Sequence, residues 1–524
     1  MKAVNNLNRI GNARKGFAFG AINNLLNIFL PFISRTIIIF SLGTEYVGLG
    51  GLFTSILSVL SLSELGFGAA VSYVLYKPVA EGDDEKVCSI LNFTRKCFFV
   101  VGCVVFAGGI AVLPFLDFLI SGDVPRGINI YILFAVYLMN TVVSYWMFAY
   151  KRILFSANQR YDIETSIASV VLLAQYIIQI GVLLLFKNYY LYALVVLLMT
   201  IVSNILCQIV TKKKYPQYFC KGKVSREEVR VLKEKVFGSF FSKLGETVYL
   251  SVDNIVISAL FGLIVLGKYG NYYFVITSLI ALFAVIHNTL RPIIGNCIVV
   301  ESRDVNYTRF LKINNLYLWL SALCTCCLLC LYQDFIFVWI GTEGQFDPSM
   351  VILFAVYFFV GRLSCVPSIY AESAGLWWEG RNVSAISAAL NLTLNFVLGL
   401  TIGLPGILLA SITSALLVTL TGRVWVLFRH YFAKDMFMGY VKSSLRILLL
   451  SVACICVVFF LSTYVKVSGW FSLIGKGVLT AAIFGALYVV VNIKDQQTKE
   501  SWKLVVAMLR LDRLLEKIKI KKVR

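Results

Sequence analysis

The sequence predicts an all-α polytopic membrane protein of about fourteen transmembrane helices, grouped six, six and two. Three observations carry this. Hydrophobic residues make up 59% of the 524 residues and charged residues only 14%, against roughly 25% charged in a soluble domain. Mean hydropathy is +0.82. Apolar stretches of about 20 residues recur along the chain, each matching a helix that crosses about 30 Å of hydrocarbon. Lys and Arg outside these stretches alternate in density along the chain as the positive-inside rule requires, which places both termini in the cytoplasm.

The spans are read near 17–40, 47–76, 91–115, 129–149, 165–186 and 190–210, then 236–261, 271–299, 311–333, 350–371, 382–402 and 405–427, and finally 446–464 and 470–491. The first follows a polar, basic start, MKAVNNLNRIGNARKG, and is too long and Asn-rich for the apolar core of a secretory leader, so no cleaved leader is expected. It carries Asn23, Asn24 and Asn27, whose amides suit helix–helix hydrogen bonds or a wet cavity, and Pro31, which removes a backbone bond and offers a bend. Asn391 and Asn395, four apart on the eleventh span, invite the same two readings. The basic segment KKKYPQYFCKGKVSREEVRVLKEK divides the chain; Ser225-Arg226-Glu227-Glu228 within it fits a capping box for a short surface helix. This gives an N-lobe at 1–211, a cytoplasmic linker at 212–235, a C-lobe at 236–428, and the last two spans with a basic amphipathic tail at 429–524.

On the external side the basic residues are few: Arg126, Lys187, Lys268, Lys466 and Lys476. The net charge of +21 therefore sits mostly on cytoplasmic segments, where anionic lipids attract each basic residue by about 1 kcal/mol. No aromatic-basic platform accompanies the runs, so nucleic acid is not an expected partner. The thirteen cysteines, four of them in CTCCLLC, read as small apolar packing groups, with no nearby His to close a metal site. No GxxxxGK[ST] run is present, no external loop is long enough for a catalytic domain, and no cofactor is expected. An enzyme is not the expected function.

The informative residues are charges inside spans. Arg35, Lys243, Arg291, Arg362 and Arg423 stand against Glu64, Glu246 and Asp253, an excess of two positive charges. Arginine in hydrocarbon costs roughly 2.5–3.5 kcal/mol even on a lenient insertion scale, so each needs a partner or a water-filled cavity. A cationic cavity favours an anionic ligand, and the planar guanidinium fork suits a diphosphate. Lys243 and Arg423 lie near cytoplasmic ends, where snorkelling accounts for them. Glu64 and Asp253 are candidates for ion coupling, by H⁺ or Na⁺, because low dielectric raises a carboxyl pKa; pairing of Glu64 with Arg35 is the plainer reading. His287 also lies within a span, where it titrates or is satisfied by a hydrogen bond.

A faint internal repeat joins the two halves. GLGG at Gly48–Gly51 and GKYG at Gly267–Gly270 are offset by 219 positions, each preceded by a span with polar or charged residues, Ser34-Arg35-Thr36 in one case and Asp253-Asn254 in the other. Six spans between copies restore orientation, which implies parallel repeats about an axis along the membrane normal.

The stretch LGTEYVGLGGLFTSILSVLSLSELGFGAAVSYVLYKPVAEGDDEKVCSILN resembles bacterial polysaccharide-export flippases of the Wzx type, within the multidrug/oligosaccharidyl-lipid/polysaccharide exporter superfamily. The resemblance is concentrated in residues 30–95 and extends loosely through DNIVIS at 253–258. It implies two six-helix lobes around a central cavity plus two C-terminal helices. It implies translocation of undecaprenyl-diphosphate-linked oligosaccharide to the outer leaflet of the bacterial cytoplasmic membrane by alternating access, coupled to an H⁺ or Na⁺ gradient. Other polysaccharide-assembly proteins are possible partners in such a pathway, alongside anionic lipids. On that basis Arg35 and Arg291 are the first candidates for pyrophosphate contact, with Arg362 next. A drug/cation antiporter or a peptidoglycan-precursor flippase of the same fold stays open, although an antiporter favours cavity acids over arginines. A polysaccharide polymerase or ligase typically has a large external loop with catalytic charges; the longest external segment here, about Asp334–Ser349, is short and carries no basic residue.

Overall fold

The computed structural model describes the backbone over residues 9–61 and 67–491, and the side chains of these stretches outside 9–19, 21–22, 69–70, 226–228, 231–244, 246 and 248–250. The described residues form helices and short connections. In chain order they are α1 (Arg9–Ser41), α2 (Thr44–Leu60), α3 (Phe67–Glu81), α4 (Asp84–Val112), α5 (Ile130–Trp146), α6 (Arg152–Ala157), α7 (Tyr161–Phe186) and α8 (Tyr189–Lys214). There follow α9 (Arg226–Val300), α10 (Arg303–Ile340), α11 (Pro348–Leu363), α12 (Cys365–Ser373), α13 (Arg381–Ile402), α14 (Leu404–Ser414), α15 (Thr421–His430), α16 (Met436–Ser462) and α17 (Trp470–Val491). Local chemistry sets several starts. Asp83 accepts from the Lys86 amide at 3.0 Å, and Asn129 and Asn188 cap α5 and α8 by accepting from two backbone amides each.

Among the described residues, eleven helical stretches are long and apolar enough to cross a membrane, or twelve when α5 and the bent segment after it count as one span. The protein is a multi-pass, all-α membrane protein, but the count of fourteen is not established. Two places account for the difference. The span expected near 47–76 falls on the 17-residue α2, on residues outside the description, and on α3. The seventh and eighth expected spans share the 75-residue α9, interrupted at Gly262 (φ 80°, ψ 177°). Only glycine adopts that conformation readily. The short surface helix expected after Ser225 is the start of this same long helix. Helix α1 continues through Pro31. The expected amphipathic helix of the C-terminal tail lies outside the described residues.

The chain divides into two compact units, Met1–Asn271 with Ser384–Ile407, and Tyr272–Val383 with Leu408–Arg524. In the first, α1 packs along α7, α7 along α8, and α5 against α4 and α8. Ser169 on α7 donates to Asn23 Oδ1 at 3.1 Å, so this asparagine joins helices. In the second unit, α10 packs against α11, α16 and α17. Cys326 and Cys330 of α10 pack with Cys454, Val458 and Phe484 as small apolar groups. Lys476, 7% exposed, reaches Asp334 at 2.8 Å and ties α17 to α10.

The 219-residue offset of the two glycine motifs reappears in the backbone of the first unit. It separates Gly43 (φ 128°), between α1 and α2, from Gly262, the break in α9. It also relates two contacts. A Cβ on Gly48 would strike the carbonyl of Leu263, and a Cβ on Gly267 would strike the carbonyl of Thr44. Residues 44 and 263, like 48 and 267, are the same offset apart, so the contact is reciprocal in the manner of a two-fold interface. Small residues allow helix backbones in a membrane to come this close. Replacing either Gly48 or Gly267 with Leu is expected to destabilise the protein by about 1–3 kcal/mol, since the obstructing atoms are main chain. Gly51→Ala, where no atom lies within 4 Å of the new methyl, is expected to be neutral. Thermal unfolding in detergent checks all three, and the two leucine variants should fall together.

Candidate transport site

Arg35 occupies the middle of a polar patch in the first unit. Its side chain is half-buried, and Nη1 donates to Asn271 Oδ1 at 3.1 Å. Asn271 lies one turn beyond Gly267, so the glycine contact brings it there. It is fully buried. With its Oδ1 taken by Arg35, its Nδ2 is a buried donor without a hydrogen-bond partner. Gly270 faces the guanidinium: a methyl there would lie in ordinary contact with it, 3.5 Å from Nη1. Tyr192, Tyr189 and Tyr176 lie within electrostatic reach of the guanidinium. The Tyr192 hydroxyl pairs with Ser34 Oγ at 3.3 Å and the Tyr189 hydroxyl with Tyr137 at 3.1 Å. A cation beside a spare amide donor is a setting for an anionic oxygen.

The repeat supplies a counterpart. Asn254 stands 219 positions after Arg35 and reaches the facing α2, where its Nδ2 donates to Ser55 Oγ at 2.9 Å. Each first helix of the repeat thus sends one polar side chain across to the other's second helix. Beside it, Asp253 is 5% exposed and accepts from Asn395 Nδ2 at 2.6 Å. Asn395 also donates to Asn391 Oδ1 at 3.3 Å, and its own Oδ1 is buried with no hydrogen-bond partner. A carboxylate with an orphaned carbonyl oxygen alongside suits a hard cation or a proton, which would satisfy both.

Arg291 and Arg362 belong to the second unit. The Arg291 Nε lies 3.6 Å from Glu372 Oε2, which His287 Nε2 approaches at 3.5 Å. The guanidinium also sits 5.0 Å from the ring centre of Trp377. Glu372 was absent from the interior acids because it lies one residue past the expected end of its span. Arg362 lies 6.0 and 5.8 Å from the rings of Phe283 and Phe358, and its Nε is buried without a hydrogen-bond partner. Arg423 approaches Gly380; its Nη1 would lie 3.2 Å from a methyl there. Glu64 lies outside the described residues, as do the side chains of Lys243 and Glu246.

The profile of the family described as "Polysaccharide biosynthesis protein" matches residues 13–297, more than half of the chain. The chain belongs to this family. No curated protein sequence matches it significantly. Among solved structures it is similar to the lipid II flippase MurJ in an inward closed conformation, with a TM-score of 0.66 and 14% identity, over 91% of this chain and 100% of that one. It is also similar to a multidrug resistance MATE family transporter of the MOP superfamily in an inward-facing conformation, with a TM-score of 0.60 and 14% identity over 81% and 99% of the two chains. A Vibrio cholerae MATE transporter matches with a TM-score of 0.56 and 11% identity, over 82% and 99%. At these identities the likeness shows the fold, which is that of MOP-superfamily transporters. The solved proteins that share it here are described as transporters and a flippase.

Sequence reading missed Asn271, Glu372 and the tyrosines around Arg35. The available signal was the pair Gln175 and Gln179, four apart in an apolar span, which marks α7 as facing something polar. The two polar pairs should differ in strength. A double-mutant cycle on Asp253 and Asn395 is expected to give a coupling of about 1.5–3 kcal/mol, as for buried hydrogen bonds to a charge. The cycle on Arg291 and Glu372 should give about 0.2–1 kcal/mol, because the arginine is 44% exposed. Chemical unfolding in mixed micelles measures both.

Proposed function

We propose that this member of the family is a flippase. It moves undecaprenyl-diphosphate-linked oligosaccharide from the cytoplasmic to the outer leaflet of the bacterial cytoplasmic membrane, by alternating access. The observation that carries this is the Arg35–Asn271 patch, a half-buried guanidinium with a spare buried amide donor next to it. A membrane protein of a polysaccharide biosynthesis family has a lipid-linked, anionic intermediate to move, and the diphosphate is the part that needs charge. Arg35 then holds the diphosphate. Arg291 and Arg362 are the next candidate contacts, with Arg291 able to exchange Glu372 for phosphate oxygens. The alternation of Lys and Arg along the chain supports both termini in the cytoplasm.

Coupling falls to Asp253. Binding of Na⁺ or H⁺ between its carboxylate and Asn395 Oδ1 would neutralise a buried charge, and such a change biases a two-state packing of helices. Glu64 is the second candidate for this role. The excess of interior arginines speaks against a drug/cation antiporter. A peptidoglycan-precursor flippase would use the same diphosphate chemistry, and the family match favours the polysaccharide cargo.

The test is a leaflet assay for lipid-linked oligosaccharide in cells. Arg35→Ala is expected to cut translocation at least tenfold, which corresponds to about 1.4 kcal/mol or more, and Arg35→Lys to restore part of it. Normal rates with both variants would remove Arg35 as the anchor. In vesicles with imposed gradients, Asp253→Asn is expected to abolish the response to both Na⁺ and pH. A retained response moves the coupling site elsewhere.

A further inference from the structure

Four helices of the first unit, α2, α5, α7 and α8, turn polar side chains toward one cavity of about 360 Å³. That is at the lower end of the roughly 300–1,000 Å³ of small-molecule sites. Apolar residues would fill or dry such a space at no cost, whereas amides facing hydrocarbon are expensive. Among the described residues, the lining instead includes Asn140, Gln175 and Gln179 with Tyr137, Tyr176 and Tyr192, and no charged residue.

The hydrogen bonds fix what the amides have left to offer. Thr200 Oγ1 donates to Asn140 Oδ1 at 2.7 Å, so Asn140 keeps its Nδ2 donor for the cavity. Gln175 Nε2 donates to Gln179 Oε1 at 3.3 Å, and Gln179 Nε2 to the Tyr192 carbonyl at 3.2 Å. Gln179 is spent and fully buried, while Gln175 keeps its carbonyl acceptor. The cavity thus presents a neutral donor and a neutral acceptor between tyrosine rings and hydroxyls. An anion would want an arginine in the lining, a cation a carboxylate, and an apolar molecule neither amide. Sugar hydroxyls donate and accept at once, and sugar C–H faces pack on aromatic rings. One of the lining tyrosines, Tyr192, also pairs through its hydroxyl with Ser34, the residue before Arg35.

We propose that this cavity receives the sugar residue joined directly to the diphosphate. The inference rests on the flippase reading, in which Arg35 holds the diphosphate. The sugar pocket lends selectivity for glycosylated over bare lipid carrier, so that a carrier without its glycan is not moved.

Binding to the purified protein in nanodiscs tests this with three probes: polyprenyl diphosphate, the same lipid carrying one N-acetylhexosamine, and inorganic pyrophosphate. The unaltered protein is expected to bind the glycosylated lipid about tenfold more tightly than the bare one, the value of one or two net hydrogen bonds. Asn140→Leu and Gln175→Leu are expected to erase that ratio and leave the affinity for bare polyprenyl diphosphate unchanged. Retained binding of the bare lipid also reports that each variant is folded. Equal binding of glycosylated and bare lipid by the unaltered protein overturns the sugar pocket alone, as does a tenfold ratio that survives both substitutions. Failure of both lipids to bind overturns the flippase reading and this inference with it. Pyrophosphate binding as tight as the glycosylated lipid likewise overturns the pocket, since the anion alone would then account for affinity.

Discussion

Helix backbones reach contact distance only where neither carries a side chain at the crossing, and that constraint organises the first unit. Gly48 lies against the carbonyl of Leu263 and Gly267 against that of Thr44. The reciprocal crossing fixes α2 and the second part of α9 in one register. Everything polar nearby depends on that register. Asn271, one turn beyond Gly267, meets Arg35, and Ser55, two turns beyond Gly48, meets Asn254. The breaks at Gly43 and Gly262 let the chain turn into the crossing from each first helix. A charge that is costly in hydrocarbon is thereby held by a neighbour that the glycines deliver.

The same arrangement leaves specific vacancies in the hydrogen bonding. Asn271 Nδ2 and Asn395 Oδ1 are buried without partners, one beside a cation and the other beside an anion. Buried unsatisfied groups cost about 1–3 kcal/mol each, and these two lie at charged sites. An anionic headgroup at the first and a small cation at the second would each supply the missing interaction. Substrate and coupling ion would then act on the paired first helices of the repeat, α1 and the early part of α9.

Much of this was legible in the sequence because membrane residence makes composition decisive. The expected apolar spans fall on helix over nearly all the residues described, with a break at Met147–Phe148 in the span expected at 129–149, and Arg35 and Asp253 stood out as charges with few places to go. The offset of 219 residues was readable from eight letters, GLGG and GKYG. What could not be read was who meets whom. Asn271 looks like any polar residue after a glycine motif, and Glu372 fell one residue outside its expected span. The count of fourteen is not established: the spans expected at 236–261 and 271–299 share one long helix, which breaks at Gly262 where the first of them was read to end. Arg291 shows another limit, since a charge within a span can be partnered by an acid assigned to a loop.

The most direct test of the account is a cryo-EM structure of the protein in nanodiscs with a polyprenyl-diphosphate-linked oligosaccharide bound. The expected result is a diphosphate within hydrogen-bond distance of Arg35 and of Asn271 Nδ2. Headgroup density held by Arg291 or Arg362, with none at Arg35 and Asn271, would contradict it.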